Sequence, residues 1–185
     1  GVLGSSLAMD KEAAKRMCLQ SGVAVVEYFM ARSPDDAGNN PFGYPVFVKP
    51  ANLGSSVGIS KAKSEEELRA AIANALQYDV KAIVERAIEG MELECSVLGN
   101  ENPEASVPCE ILPSREFYDY EDKYLLDKSE FHLPAPLPEG KTAELRRTAI
   151  AAYRALGCEG MARVDFLLEA GTDRLFVNEV NTIPE

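Results

Sequence analysis

The sequence contains one histidine, His132, and four cysteines, Cys18, Cys95, Cys109 and Cys158, which are widely separated and form no CxxC pair. That spacing argues against a zinc or redox centre and reads as buried thiols in a reducing compartment. His132 is expected to be an ordinary loop or strand residue, without a catalytic role. No apolar run approaches the roughly 20 residues that a membrane span needs. The opening "GVLGSSLAMDK" also lacks the basic-then-apolar order of a signal peptide, so the chain is expected to be soluble and to have no membrane partner. Positive charge is scarce: 19 lysines and arginines against 30 acidic residues give a formal net charge of −11. That balance argues against a nucleic-acid partner, because phosphate backbones need a basic face. An anionic ligand would have to meet a local cluster of cations.

What is present suits a folded α+β protein. With 185 residues, 46% of them hydrophobic, the chain can fill one compact domain or two small ones. "DKEAAKRMCLQSG", residues 10–22, predicts a helix with Asp10 as cap, Met17 and Leu19 facing inward and a terminating glycine. "SEEELRAAIANAL", residues 64–76, predicts another, with Ser64 and Glu67 spaced as a capping box. "VAVVEYF", "PVFVKP" and "SVGISK" are strand candidates around these helices. In the second half, "KAIVERA", "ELECSVLG", "ASVPCEIL", "MARVDFLLE" and "RLFVNEV" predict a strand-rich unit interrupted by a helix over "TAELRRTAIAAYRALG". The polar, tyrosine-rich residues 113–140 show little periodicity and read as a long functional loop. No internal repeat and no low-complexity tract is present.

Two stretches carry candidate chemistry. In "FVKPANLGSSVGISK", residues 47–61, Lys49 ends one strand and the glycine loop leads into the next, the reverse of the Walker order, in which the lysine closes the loop. Gly54 and Gly58 free the backbone to approach an anion, Ser55 and Ser56 can donate hydroxyls, and Lys49 can reach a phosphate. An ordinary glycine-rich hairpin is the alternative. In "MARVDFLLEAGTDRLFVNEVN", alternation puts Arg163 and Asp165 on one face of a strand and Glu179 and Asn181 on one face of the next, folded together by the "EAGTD" turn. Val164, Phe166, Val177 and Val180 supply apolar surroundings. Carboxylates so placed repel unless a cation lies between them, and hard oxygen ligands suit Mg²⁺. A structural ion pair from Arg163 to Asp165 or Glu179 is the alternative. Together the two stretches predict ATP held between two sheets.

Across these stretches and others, the sequence resembles a known family. "FVKPANLGSSVGISK", "VERAIEGMELECSVLG", "EFYDYEDKYLLD", "LGCEGMARVDFLLE" and "LFVNEVNTIP" are similar, in order, to signatures of the D-alanine:D-alanine ligases of the ATP-grasp superfamily. The resemblance implies an ATP-grasp fold with a small subdomain over residues 1–84 and a larger one over residues 85–185. It implies phosphate contacts from Lys11, Lys49 and Lys123 and a phosphate-covering loop at residues 54–58 with Gly54 and Ser56. It further implies an adenine contact at Glu85, a hinge whose backbone at Ala87 and Ile88 meets the base, and a ribose contact at Glu92. Asp165, Glu179 and Asn181 match metal ligands for Mg²⁺ or Mn²⁺, and Arg163 matches the arginine that stabilises charge on the reacting groups. Tyr124 matches a tyrosine that bonds the serine at Ser55 to fasten a lid, which protects an acyl phosphate from water.

The implied reaction is ATP-dependent ligation of two D-alanines for peptidoglycan synthesis, cell-wall biogenesis and cell shape, in a bacterial cytoplasm. The "YDYEDKY" lid favours D-alanine as the second substrate, and the resemblance allows a homodimer of the full-length protein. Two departures stand out: the family continues "NTxPG" where this chain has Glu185, and the family's N-terminal domain has no counterpart here. They lead to the expectation of a fragment that is inactive alone. The ATP-grasp core of another amino-acid ligase and a nonenzymatic ATP-binding module are the alternatives.

Overall fold

The computed structural model describes residues 1–54, 57–112 and 130–184, so Ser55, Ser56, Lys123, Tyr124 and Glu185 lie outside the described residues. The architecture is α+β, as expected. Helices α1 (Val2–Met9) and α2 (Lys11–Gln20) lead into β1 (Tyr28–Ala31), a 3-10 turn, β2 (Val46–Pro50) and β3 (Ser60–Ala62). Then come α3 (Glu65–Ala75), β4 (Ala82–Arg86), β5 (Gly90–Leu98), β6 (Glu104–Ala105), β7 (Cys109–Leu112) and β8 (Glu130–His132). Helix α4 (Glu139–Ala155) and the hairpin of β9 (Met161–Glu169) and β10 (Leu175–Asn181) complete it. Among the described residues no helix is long and apolar enough to cross a membrane.

The strands form two antiparallel sheets. The smaller has the order β1-β4-β2-β3, and the larger runs β10-β9-β5-β7-β8 with β6 attached to β5. Helix α3 covers the small sheet through Leu68, Ala71, Ile72 and Ala75, which share a core with Val46, Val48 and Val84. These positions recur at helical spacing and so form one apolar stripe. Ser64 caps α3 by accepting from the Glu67 amide at 3.2 Å, while the Glu67 carboxylate turns back to the Lys63 amide at 2.7 Å. The expected reciprocal cap is present, displaced by one residue on its return bond.

Helix α2 differs from its sequence reading. Asp10 does cap it, accepting from the Ala13 amide at 3.0 Å. Met17 and Leu19, however, are 37% and 52% exposed, and the buried stripe is Lys11, Ala14, Lys15 and Cys18. Residues two apart on a helix do not face the same way, whereas positions 11, 14, 15 and 18 do. Ala8, Ala14 and Cys18 join the core of the large sheet alongside Leu93, Val164, Phe166 and residues of α4. The strand expected over residues 23–29 begins only at Tyr28; before it, Val25 bridges to Val177 of β10. A division between residues 84 and 85 falls inside β4. Of the long loop expected at residues 113–140, residues 130–132 instead form β8, paired with β7.

Two glycines are required by their surroundings. At Gly90 an added Cβ would lie 1.9 Å from the Leu168 carbonyl oxygen, so Gly90 lets β5 start tightly against β9. Gly90→Ala is expected to lower stability by about 1–3 kcal/mol, read from denaturant unfolding. Gly58 has φ +74, and a Cβ there would meet Pro50 at 2.8 Å and Tyr78 at 3.0 Å. At Gly54 a Cβ would meet none of the described residues within 4 Å, so of the two loop glycines Gly58 is the one with a steric reason among them.

The cysteines are free thiols, with Cys18, Cys95 and Cys158 buried. Burial pushes the Cys18 thiol up to about 11, which keeps it protonated and unreactive near neutral pH.

Candidate functional site

On β2, alternation turns Val46 and Val48 toward α3 and sends Phe47 and Lys49 to the opposite face. On β4 the same alternation places Glu85 on that face, and Phe47 pairs with Glu85 in register. Lys49 Nζ lies 2.7 Å from Glu85 Oε2, and Lys15 Nζ, arriving from α2, lies 2.8 Å from Glu85 Oε1. Glu85 is only 3% exposed and Lys15 only 2%. Burial by itself would raise the Glu85 pKa, but the charges of Lys15 and Lys49 outweigh it and hold the carboxyl at about 2. Burial also depresses the Lys15 pKa in spite of Glu85. Burial acts on Lys49 in the same sense, yet the attraction of Glu85, Glu179 and Glu92 prevails and raises its pKa.

The large sheet presents a complementary face. In the register of β5, β9 and β10, Glu94 stands opposite Asp165, and Asp165 opposite Glu179. Three carboxylates therefore lie in a row across three strands, with Arg163 and Asn181 paired in the adjacent row. Arg163 donates to both oxygens of Asp165, at 2.7 and 3.0 Å, and its Nε also lies 3.1 Å from Glu94 Oε2. Asp165 hydrogen bonding, with further attraction from Glu94 and Glu179, raises the Arg163 pKa. Asn181 Nδ2 donates to Asp165 Oδ2 at 3.0 Å. A β-bulge between Val177 and Glu179 keeps both Val177 and Val180 in the core while Glu179 faces the site.

The two faces meet. Lys49 Nζ lies 3.3 Å from Asn178 Oδ1, the bulge residue next to Glu179. Arg86, at the end of β4, donates to Glu27 at 3.0 Å and to Glu169 at the end of β9 at 2.5 Å, and its guanidinium lies 5.7 Å from the Phe176 ring. The chain passes from the small sheet to the large one through residues 87–89, which include Ala87 and Ile88. Lys11 borders the glycine loop: its Nζ donates to the Leu53 carbonyl at 2.7 Å, and its amide to that of Ala51 at 2.9 Å.

Of the residues singled out in the sequence, the structure thus brings together Lys49, Glu85, Glu92, Arg163, Asp165, Glu179 and Asn181, with Lys11 and Gly54 at the loop beside them. The ion pair between Arg163 and Asp165 is formed. Asp165 and Glu179 pair in register with Asn181 beside them, so carboxylate and amide oxygens, the donor chemistry that suits Mg²⁺, share one face, where Arg163 and Asn181 Nδ2 engage the Asp165 oxygens. Among the described residues no three His, Cys, Asp or Glu side chains converge as a complete metal-binding group. Sequence reasoning missed Lys15, Glu94 and Asn178. The signal for Lys15 was its place on the stripe of Lys11, Ala14 and Cys18; the signal for Glu94 was its period-two spacing from Glu92. His132 lies on β8 with its Nδ1 2.8 Å from Glu110, remote in sequence from every residue of this group.

Comparison with known proteins identifies the family. A family model described as D-ala D-ala ligase C-terminus matches residues 17–185. The chain is 62% identical over 189 residues to a D-alanine--D-alanine ligase of Solibacter usitatus, covering 100% of this chain and 58% of that protein. It is 50% identical over 193 residues to the D-alanine--D-alanine ligase of Chlorobaculum tepidum, covering 100% of this chain and 53% of that one. Among solved structures, VanG D-Ala:D-Ser ligase from Enterococcus faecalis matches with a TM-score of 0.87 at 35% identity, over 98% of this chain and 54% of that chain. The D-alanine-D-alanine ligase from Coxiella burnetii matches with a TM-score of 0.84 at 34% identity, over 100% of this chain and 50% of that chain. The chain spans about half the length of the relatives it matches. Since the match runs from within α2 through β10, taking in both sheets and the face between them, this chain belongs to the D-alanine:D-alanine ligase family.

Proposed function

We propose that the face between the two sheets binds Mg-ATP and that the chain serves, in a bacterial cytoplasm, as the ATP-binding part of a ligase joining two D-alanines for peptidoglycan. The observation that carries this reading is the approach of Lys49 to within 3.3 Å of Asn178, beside Glu179. It supports the reading because a strand-end cation of one sheet stands in the field of Glu179 on the other, where a polyphosphate with its metal would bridge them. Net charge does not oppose this, because two unit charges about 4 Å apart gain roughly 4 kcal/mol at an effective dielectric near 20.

In this mechanism Lys49 and Lys11 receive phosphate oxygens, Glu85 accepts from the adenine amino group, and Glu92 accepts from the ribose hydroxyls. Bound at Asp165, Glu179 and Asn181, Mg²⁺ would neutralise phosphate charge. Arg163, its guanidinium held by Asp165 and Glu94, donates to the negative charge that develops as the γ-phosphoryl group passes to the carboxylate of the first D-alanine. The amine of the second D-alanine then attacks that acyl phosphate, and phosphate leaves as the peptide bond forms. Lys123 as a γ-phosphate contact, and Tyr124 with Ser55 as a lid that excludes water, belong to the same proposal.

The test is a chimera in which these residues replace the matching part of the Solibacter usitatus ligase. D-alanyl-D-alanine is expected, with one phosphate released per dipeptide. A chimera that binds Mg-ATP but makes no dipeptide would favour a nonenzymatic ATP-binding module. Within the chain itself, Lys49→Ala is expected to weaken Mg-ATP binding by about tenfold or more in calorimetry, through loss of a charge-assisted contact.

A further inference from the structure

Glu85 is a single buried carboxylate shared by two lysines that are not equivalent. Lys49 approaches it at 2.7 Å and also reaches Asn178, in the field of Glu92 and Glu179. Lys15, almost wholly buried on α2, approaches the other oxygen at 2.8 Å. Among the described residues, neither Lys15 Nζ nor Glu85 Oε1 completes a well-directed hydrogen bond elsewhere. Lys49 thus has alternative anionic company on the side of the cleft, while Glu85 is the carboxylate that Lys15 pairs with among the described residues, its ammonium otherwise facing the Tyr28 ring at 5.8 Å.

We propose that Lys15 is a positioning residue that keeps Glu85 charge-compensated and in place when Lys49 turns from Glu85 to the nucleotide phosphates, an inference that rests on the reading of the cleft as an ATP site. A buried carboxylate with one lysine cannot release it without standing unpaired in a low-dielectric interior. With two, one can leave. Lys15 therefore lowers the cost of the exchange without touching the nucleotide, and Glu85 stays oriented toward the base. Without Lys15, the ion pair of Lys49 with Glu85 becomes a competitor of nucleotide binding.

Calorimetric titration of Mg-ATP into the chain and its K15M, E85Q and K15M/E85Q variants tests this. K15M is expected to weaken Mg-ATP binding about tenfold or more, the scale for stranding one partner of a buried charge pair. Once Glu85 is neutral Lys15 has nothing to compensate, so K15M/E85Q is expected to bind more tightly than K15M and within about threefold of E85Q. A merely structural lysine would not produce that dependence on residue 85. If K15M does not fold, the comparison of E85Q with K15M/E85Q decides, and a difference of about tenfold there overturns the role. K15M binding like the unaltered chain also overturns it. Failure of the unaltered chain to bind Mg-ATP would remove the ATP reading itself, and the role with it.

Discussion

Glu85→Gln is expected to destabilise the fold by roughly 3–5 kcal/mol, because it removes the carboxylate and leaves two buried lysines without their shared partner. Lys15 and Lys49 lie 2.8 and 2.7 Å from that carboxylate. Denaturant unfolding near neutral pH gives the measurement. Adding Lys15→Met to Glu85→Gln should recover part of the loss, since it takes away the more deeply buried of the stranded charges. The sign with pH follows from the direction of the shift. The folded Glu85 pKa is depressed to about 2 from 4.5, so its contribution is complete above pH 4.5 and disappears as pH falls through about 2. The difference between the unaltered chain and Glu85→Gln should shrink over that interval. A variant as stable as the original at neutral pH would show that the triad contributes no net stability.

Glu179→Gln is expected to cut Mg²⁺-dependent ATP affinity by about 2 kcal/mol or more, roughly thirtyfold, with little change in unfolding. Glutamine is nearly isosteric with glutamate, and the strand pairing of Glu179 with Asp165 uses backbone groups. The contrast with Glu85 is the informative part. Glu85 is locked between two lysines inside the protein, whereas Glu179 is half-buried on the face toward the cleft. If Glu179→Gln lowered the unfolding free energy while metal-dependent binding by the folded chain stayed the same, the acidic row would be a structural ion-pair ladder around Arg163.

Strand alternation made much of the site legible in the sequence. Arg163, Asp165, Glu179 and Asn181 meet as the period of two requires, and Lys49 ends its strand beside a glycine loop as read. Alternation did not reveal the bulge at Asn178, which lets Val177 and Val180, three residues apart, share the core while Glu179 faces outward. Period two predicts a side-chain face only while the ladder is unbroken. Lys15 was hidden for a different reason: a lysine inside an amphipathic helix is ordinarily solvated, and its burial depends on Glu85, a residue seventy positions away. Helix α2 was misjudged by taking its most hydrophobic residues, Met17 and Leu19, as its inner face. Small residues at helical spacing, Ala14 and Cys18, mark the packed stripe instead. Residues 23–27 read as strand from their valines, but a bridge from Val25 to Val177 accompanies the entry of Val23 and Val25 into the core of the other sheet. Such long-range partners are invisible to a local pattern.

Titration of ATP into the chain by calorimetry, with Mg²⁺ and with the metal chelated, tests the central claim most directly: that Lys49 of one sheet and the Asp165–Glu179 pair of the other hold one metal–nucleotide complex between them. The account predicts one site per chain, with affinity at least about tenfold higher for Mg-ATP than for free ATP, since without the metal the carboxylates repel the phosphates. Equal binding with and without Mg²⁺, or none in either case, would contradict it.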